Sequence, residues 1–352
     1  MKKRFLLLSF FALSAFSIAK AQDSTQTDPP LTITGSVDTY YKYDFADRSN
    51  LPTSFASDHN SMSIGMVDIA LKKKVNKASF VGEISFGPRG QSQSLPNAAG
   101  VYDETTNSYN IQNLYVSYDV TDKLALTAGY MATFVGYEVI SPVGNFNYST
   151  SYLFTNGPFQ NAGFKASYAF SSKVGLMAGI FNDYWNVYKS VSKLNTFGAQ
   201  LSLSPIEGWS AYVNLLTGPS SGTEIDFTTA YQITPAFKLG LNAATFSAGN
   251  DYEDGGFTGV ALYPQYAVSS TVTLGLRGEY FKTKAGDYAT FGPAPGESVT
   301  AITATANIKA GPLSLIPEVR FDNMSNDAVF VKKNGSPSKN AGQFVLAAVY
   351  AF

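Results

Sequence analysis

From Leu31 onward the chain reads as sixteen strand-like segments of about ten residues, and the connectors between them alternate between short and long. The segments run approximately 31–43, 60–72, 77–87, 108–120, 123–134, 160–170, 173–182, 195–204, 208–217, 223–233, 236–247, 257–268, 271–282, 298–309, 313–322 and 341–352. Even-numbered segments are followed by tight turns: Lys73–Asn76, Thr121-Asp122, Ser171-Ser172, Pro205–Glu207, Thr234-Pro235, Ser269-Ser270 and Ala310–Pro312. Odd-numbered ones are followed by polar loops rich in Gly, Pro and Asn: 44–59, 88–107, 135–159, 183–194, 218–222, 248–256, 283–297 and 323–340, of which only 218–222 is short. A tilted strand of about 9–11 residues is what a bilayer demands. Turns on one side and loops on the other are the arrangement of a transmembrane β-barrel. A sandwich has no reason to sort its connections this way, and a solenoid would show a fixed repeat.

Composition points the same way. Charged residues make up 14% of the chain, against about 25% in ordinary soluble domains, and aromatics also reach 14%. No segment after the N-terminal region has 18 consecutive apolar residues, the length at which a helical span would be read. At the N-terminus Lys2, Lys3 and Arg4 precede an apolar run from Phe5 to Ile18, and Ala19-Lys20-Ala21 offers an A-x-A cleavage site. This pattern predicts a secretory signal peptide over 1–21, a polar periplasmic lead-in over 22–30 and a barrel over 31–352. Removing 1–21 takes away four basic residues and no acidic ones, moving the formal charge from −1 to −5. That is too mild to imply a nucleic acid or polyanion partner. There is no Cys, so neither lipoprotein acylation nor disulfides are available.

The last segment is the most apolar. Phe344, Leu346, Ala348, Tyr350 and Phe352 share one face, because side chains alternate across a strand. A closed barrel gives this strand both a lipid face and a neighbour, the first segment. Its other face, Val345, Ala347 and Val349, is equally apolar and does not suit a wet pore. Either the loop after segment 5 or the N-terminal lead-in is expected to cover it. Two prolines, Pro264 and Pro317, fall inside segments 12 and 15, where each removes a ladder hydrogen bond. Bulges are expected there, and counts of fourteen or eighteen strands stay open.

Register follows from cost, since Arg at the bilayer midplane on the lipid face costs roughly 2–4 kcal/mol. Glu318, Arg320 and Asp322 share one parity and should face the lumen, as should Asp38, Lys42, Glu83, Lys165, Arg277 and Glu279. The predicted pore lining is therefore Asp38, Lys42, Glu83, Lys165, Arg277, Glu279, Glu318 and Arg320. Barrels of 16–18 strands are too wide for side chains to fill, so any plug has to come from a loop. The candidate is 135–159, which carries Phe146, Tyr148, Tyr152, Leu153, Phe154 and Phe159. It either folds inward as a constriction, with Glu138, Asn145, Asn147, Tyr148, Tyr152 and Asn156 as its functional groups, or packs outside on its neighbours.

Two stretches, Gly35–Phe45 (GSVDTYYKYDF) and Leu126–Gly157 (LTAGYMATFVGYEVISPVGNFNYSTSYLFTNG), resemble the OmpL-like β-barrel porins of Gram-negative outer membranes, and the resemblance extends over the mature chain. The aromatic pattern ending in Tyr350 and Phe352 is similar to the signal read by the barrel assembly machinery. The resemblance implies a porin-like channel in contact with outer-membrane lipid, passing small hydrophilic solutes, with no catalytic residues and no cofactor. Sixteen-stranded general porins are usually homotrimers, though no interface is legible here. Their constriction loop also follows strand 5, and it is somewhat longer than 135–159.

Catalytic chemistry finds little purchase. A nucleophile–base pair needs a histidine or its equivalent beside a hydroxyl; the one histidine, His59, sits between Asp58 and Asn60 at the end of a loop, with Ser57 and Ser61 near it. Asp251, Glu253 and Asp254 read as a solvated loop tip rather than a metal site, and no phosphate-binding Gly loop is present. The function expected is a porin without covalent chemistry. Its rivals are a closed or loop-plugged adhesive barrel and a channel with a saturable solute site. Removing Phe352 is expected to lower the yield of membrane-inserted protein more than it lowers the conductance of the inserted fraction, and normal insertion of that variant would count against an assembly role.

Overall fold

The computed structural model describes residues 28–51, 54–89, 110–185, 188–249, 252, 254–288, 290–325 and 329–352. The leader at 1–21, the first part of the lead-in, most of the connector 88–107, and Asp251 and Glu253 lie outside the described residues. The strands are β1 (Thr32–Asp44), β2 (Ser61–Val75), β3 (Ala78–Phe86), β4 (Ile111–Asp119), β5 (Leu124–Ala132), β6 (Gln160–Ala169), β7 (Val174–Asn182) and β8 (Leu194–Leu203). They continue as β9 (Trp209–Gly218), β10 (Gly222–Gln232), β11 (Phe237–Ser247), β12 (Gly256–Ala267), β13 (Val272–Thr283), β14 (Ser298–Ala310) and β15 (Leu313–Met324). A two-residue ribbon follows, β16 (Phe330–Val331) and β17 (Pro337–Ser338), and then β18 (Asn340–Ala351). Strands β1–β15 and β18 form one closed antiparallel barrel of sixteen, each paired with its neighbours in sequence. Every boundary lies within three residues of the sequence-based expectation. The ribbon β16–β17 is an addition inside the loop expected at 323–340.

Closure is made by β18 against β1, from Ser36 opposite Ala351 to Asp44 opposite Gln343. Reciprocal backbone bonds between Gly35 and Phe352 extend it, at 2.9 and 3.0 Å. No barrel edge is left open, which is the condition for a sheet to stand in hydrocarbon. The short turns tighten where a left-handed residue is available: Asn76 has φ 51° and Gly311 has φ 64°.

The prolines behave differently from expectation. Pairing of β12 with β13 keeps one register on either side of Pro264, from Leu262 opposite Gly278 to Gln265 opposite Gly275. Likewise β14 and β15 keep theirs across Pro317, from Thr305 opposite Glu318 to Ile308 opposite Leu315. Neither proline makes a bulge. In an antiparallel sheet each N–H points to only one neighbour, so a proline interrupts the ladder on one side. On the other side Pro264 stays opposite Leu239 and Pro317 opposite Leu346. Register shifts occur instead between β1 and β2 at Val37/Thr39, between β3 and β4 at Glu83/Ile84, and between β7 and β8 at Phe181/Asn182. At the first of these Asp38 accepts the freed Met66 N–H at 2.8 Å.

The outward parity carries exposed Ile64, Leu114, Val116, Val213, Leu262, Leu276, Ile302 and Leu346, among others, as a lipid face requires. The inner face of β18 is covered: Val345, Ala347 and Val349 pack with Tyr40, Ala56, Ile316 and Tyr148, the last from the segment after β5. Substituting Leu276, near the middle of β13 on the lipid face, by Arg is expected to destabilise the inserted barrel by about 2–4 kcal/mol. The shift of its urea unfolding midpoint in lipid vesicles measures this, and an unchanged midpoint would reverse the facing assigned to β13.

Candidate functional site

Residues 133–159 connect β5 to β6, yet they are anchored on the opposite side of the barrel. In a ring of sixteen, β13 stands eight strands from β5, so the segment reaches across the full lumen before returning. It contains a 3-10 turn at Pro142–Gly144 and one turn of helix, α1 (Tyr152–Asn156), capped by the Ser151 hydroxyl, which accepts the Phe154 N–H. Little of the segment is regular structure, so most of its backbone N–H groups need partners from elsewhere.

Inward side chains of the wall supply them. Glu318 accepts the Tyr148 N–H at 2.9 Å and the Ser149 N–H at 3.1 Å, and the Ser149 hydroxyl donates to it as well. Glu279 accepts the N–H groups of Tyr152 and Leu153, at 3.0 and 2.9 Å, at the start of α1. Asp226 on β10 accepts from Gly136 at 3.1 Å and is held by the Asn214 and Asn242 amides. The segment's carbonyls are answered by arginines. Arg277 donates to Ser149 O at 2.6 Å and pairs with Glu138 at 2.8 Å, while Arg320 donates to Thr150 O at 2.8 Å. Arg320 also grips Asp322 through two parallel bonds of 2.7 and 2.8 Å, the bidentate geometry that fixes a guanidinium plane. Its guanidinium lies over the Tyr152 ring, whose hydroxyl donates to Asp322 at 2.6 Å.

Aromatic packing completes the dock. Tyr137 stacks on Tyr263 at 4.4 Å, and Tyr152 on Phe281 at 5.8 Å. Four wall glycines leave room for the segment: a Cβ on Gly198, Gly240, Gly259 or Gly275 would run into Phe134, Tyr137, Leu153 or Phe146 respectively. The first external loop folds in as well, with Phe55 against Phe154 and Phe159, and Leu51 O accepting from Lys42 at 2.5 Å. Arg89 lies over the rings of both Phe55 and Tyr148.

The residues singled out in the sequence divide into two groups. All eight expected pore-lining residues point inward, but Asp38, Lys42, Arg277, Glu279, Glu318 and Arg320 are at most 2% exposed. They are covered by the segment and by the first loop, and do not border water. A buried charge has to be paired or hydrogen-bonded, and the segment provides those partners. Glu83, bonded by the Asn113 amide at 2.6 Å, and Lys165 stay half-buried on the uncovered side. Within the segment, Glu138, Asn145 and Asn147 reach the internal cavity. Asn145 closes the segment on itself through the Val139 N–H and O, at 2.8 and 2.6 Å, and Asn147 donates to Thr305 at 2.7 Å. Tyr148 donates to Asp38 at 2.5 Å, Tyr152 faces Asp322, and Asn156 pairs with the backbone of Phe291 in another loop. His59 accepts the Asp44 N–H at 3.0 Å and stands 3.5 Å from Asp47. Tyr350 is exposed on the lipid face, and Phe352 packs its ring against Gly35.

Sequence reasoning missed Asp226, Asn214, Asn242, Thr305 and the glycine seats. A signal existed: each has inward parity on its strand, and Gly198 and Gly240 interrupt otherwise well-filled segments. What the segment leaves open is a cavity of about 1040 Å³ towards the short turns. Its wall includes Gln200, Tyr212, Thr228, Lys238, Gln265 and Lys309. A second cavity of about 680 Å³ near the turns of β2–β8 shares Gln200 with it. Glu318→Ala should destabilise the barrel by roughly 1–3 kcal/mol for each backbone donor it leaves without an acceptor, read as a lower unfolding midpoint. A midpoint equal to that of the unmodified protein would remove Glu318 as an anchor.

The family described as "Putative beta-barrel porin-2, OmpL-like" matches residues 30–352. No curated protein matches the chain at a significant level. Among solved structures, the outer membrane channel DcaP of Acinetobacter baumannii is similar with a TM-score of 0.62 at 15% identity, covering 92% of this chain and 97% of that one. OmpF of Salmonella typhi, solved in complex with daunomycin, has a TM-score of 0.60 at 11% identity with the same coverage. OmpT of Vibrio cholerae has 0.55 at 12%, again covering 92% and 97%. At these identities the likeness speaks for the fold, a sixteen-stranded outer-membrane barrel. The match over nearly the whole described chain gives the family: this protein belongs to the OmpL-like β-barrel porins, and is a channel of the outer membrane.

Proposed function

We propose that the protein is a water-filled porin through which small hydrophilic solutes diffuse passively, with the segment 133–159 as its constriction. The observation that carries this reading is the one-sided filling of the lumen. The segment is bonded to β10 and to β13–β15 through Asp226, Arg277, Glu279, Glu318 and Arg320. It leaves a cavity bounded by Glu83, Gln112, Asn113 and Gln200 on other strands and, nearer the short turns, by Thr228, Lys238, Gln265 and Lys309 on the anchoring side. A solute passing there would meet hydrogen-bonding side chains that replace part of its hydration, and selectivity would follow from width and lining charge. The covered charges contribute indirectly, by holding the segment in place.

The same proposal extends to biogenesis. The leader over 1–21 would be cleaved on export, and the β18 aromatics Tyr350 and Phe352 would be read during insertion by the barrel assembly machinery. Purified protein in planar bilayers is expected to give stepwise conductance, and solute flux into liposomes should rise linearly with concentration. Deleting 138–156 should enlarge each conductance step. Absence of both conductance and flux would sink the porin reading, whereas saturable flux would favour a dedicated solute site.

A further inference from the structure

The inward charges of this barrel are distributed unevenly along its axis. Towards the loop end Asp226, Arg277, Glu279, Glu318 and Arg320 are engaged in holding the segment. From mid-barrel towards the short turns, the inward positions of the sixteen strands carry five lysines, Lys72, Lys74, Lys165, Lys238 and Lys309, against three carboxylates, Asp68, Glu83 and Asp119, among the described residues. All three carboxylates are engaged, Asp68 accepting from the Ser36 hydroxyl. Asp119 is ion-paired with Lys74 at 2.6 Å, and Glu83 is bonded by Asn113 with Lys72 diagonal to it on β2. Lys165, Lys238 and Lys309 have no acidic side chain within ion-pair distance among the described residues.

Their placement around the passage is equally pointed. Lys165 on β6 and Lys309 on β14 stand eight strands apart in a ring of sixteen, on facing walls. Lys238 on β11 lies between them, and both it and Lys309 border the 1040 Å³ cavity. The inward neighbours of Lys238 across the sheet are Gln232 and Gln265, and those of Lys165 are Thr127 and Gly179, so no acid stands directly beside either lysine. Thr273 and Asn307 face each other between β13 and β14 and continue the uncharged polar lining. Glu83 and Glu138 also line that cavity, but Glu138 is ion-paired with Arg277 and Glu83 is bonded by Asn113, so among the described residues the charges left without a partner at the wall are the lysines. A low-dielectric cleft with an excess of one sign of charge concentrates counter-ions.

We infer that the vestibule on the short-turn side selects small organic anions, with Lys165, Lys238 and Lys309 as the selectivity-determining residues. The inference rests on the porin reading and names its solute class: small hydrophilic organic anions, probed by a carboxylate.

The test is the reversal potential of the full mature protein in planar bilayers across a potassium chloride gradient, with citrate as the probe anion. The wild type should be chloride-selective. Replacing all three lysines with glutamine should bring the reversal potential to zero, while replacing them with arginine should preserve it. The citrate concentration that halves the current should rise about fivefold for each lysine removed, the factor a unit charge pair at about 4 Å in water supplies. Lys309, the most exposed of the three, gives a single-site arm, Lys309→Gln, should the triple variant not insert. A conducting wild type that is unselective or cation-selective would overturn the inference and leave the porin standing. Anion selectivity unchanged in Lys309→Gln and in the triple variant would overturn the assignment to these residues. A protein that conducts nothing would refute the porin reading, and the inference with it.

Discussion

A stretch of irregular backbone inside a barrel has N–H and C=O groups that the sheet cannot satisfy, and much of this structure follows from how they are met. The wall closes its own hydrogen bonds from β1 round to β18. The segment crossing the lumen therefore depends on side chains. Glu279 and Glu318 each accept two of its backbone N–H groups, and Arg277 and Arg320 donate to its carbonyls. The dependence runs both ways. Charges withdrawn from water are costly unless paired and hydrogen-bonded, so the wall needs the segment as much as the segment needs the wall. A buried ion pair such as Arg277 with Glu138 adds little net stability once desolvation is counted. Its consequence is positional: it fixes which side of the lumen is filled.

That choice shapes everything a solute would encounter. The filled side is packed by rings laid on glycines, Tyr137 over Gly240 and Phe146 over Gly275, and by the apolar inner face of β18 beneath Tyr148. The open side keeps half-buried Glu83 and Lys165 together with amides and hydroxyls. The most deeply buried charges are thus structural here, and Lys238 and Lys309 nearer the turns stand at the cavity wall.

The barrel was largely legible in the sequence, because strand period and connector length are local properties. Parity alone turned Asp38, Arg277, Glu318 and Arg320 inward, and the structure has them there. Whether an inward charge meets water or another part of the chain is a different question, decided by contacts over more than a hundred residues of separation, such as Tyr148 to Glu318 or Arg277 to Glu138. The prolines teach a similar lesson. Pro264 and Pro317 looked like bulge sites, yet each interrupts the ladder with one neighbour and keeps its pairing with the other. Bulges formed at β1/β2, β3/β4 and β7/β8, where no proline marks them.

While the count of sixteen strands, against fourteen or eighteen, was settled by the structure, the sequence by itself determined a closed antiparallel barrel, its facing, and the apolar last strand that needed cover on both sides. Alternation at period two and the cost of a charge in lipid suffice for that, since each acts within one strand. Only the tertiary structure decided what covers Val345, Ala347 and Val349, which charges are spent on anchoring, and which lysines remain beside the cavity. Those outcomes depend on where the segment 133–159 lands on a wall eight strands away, and no local pattern carries that information.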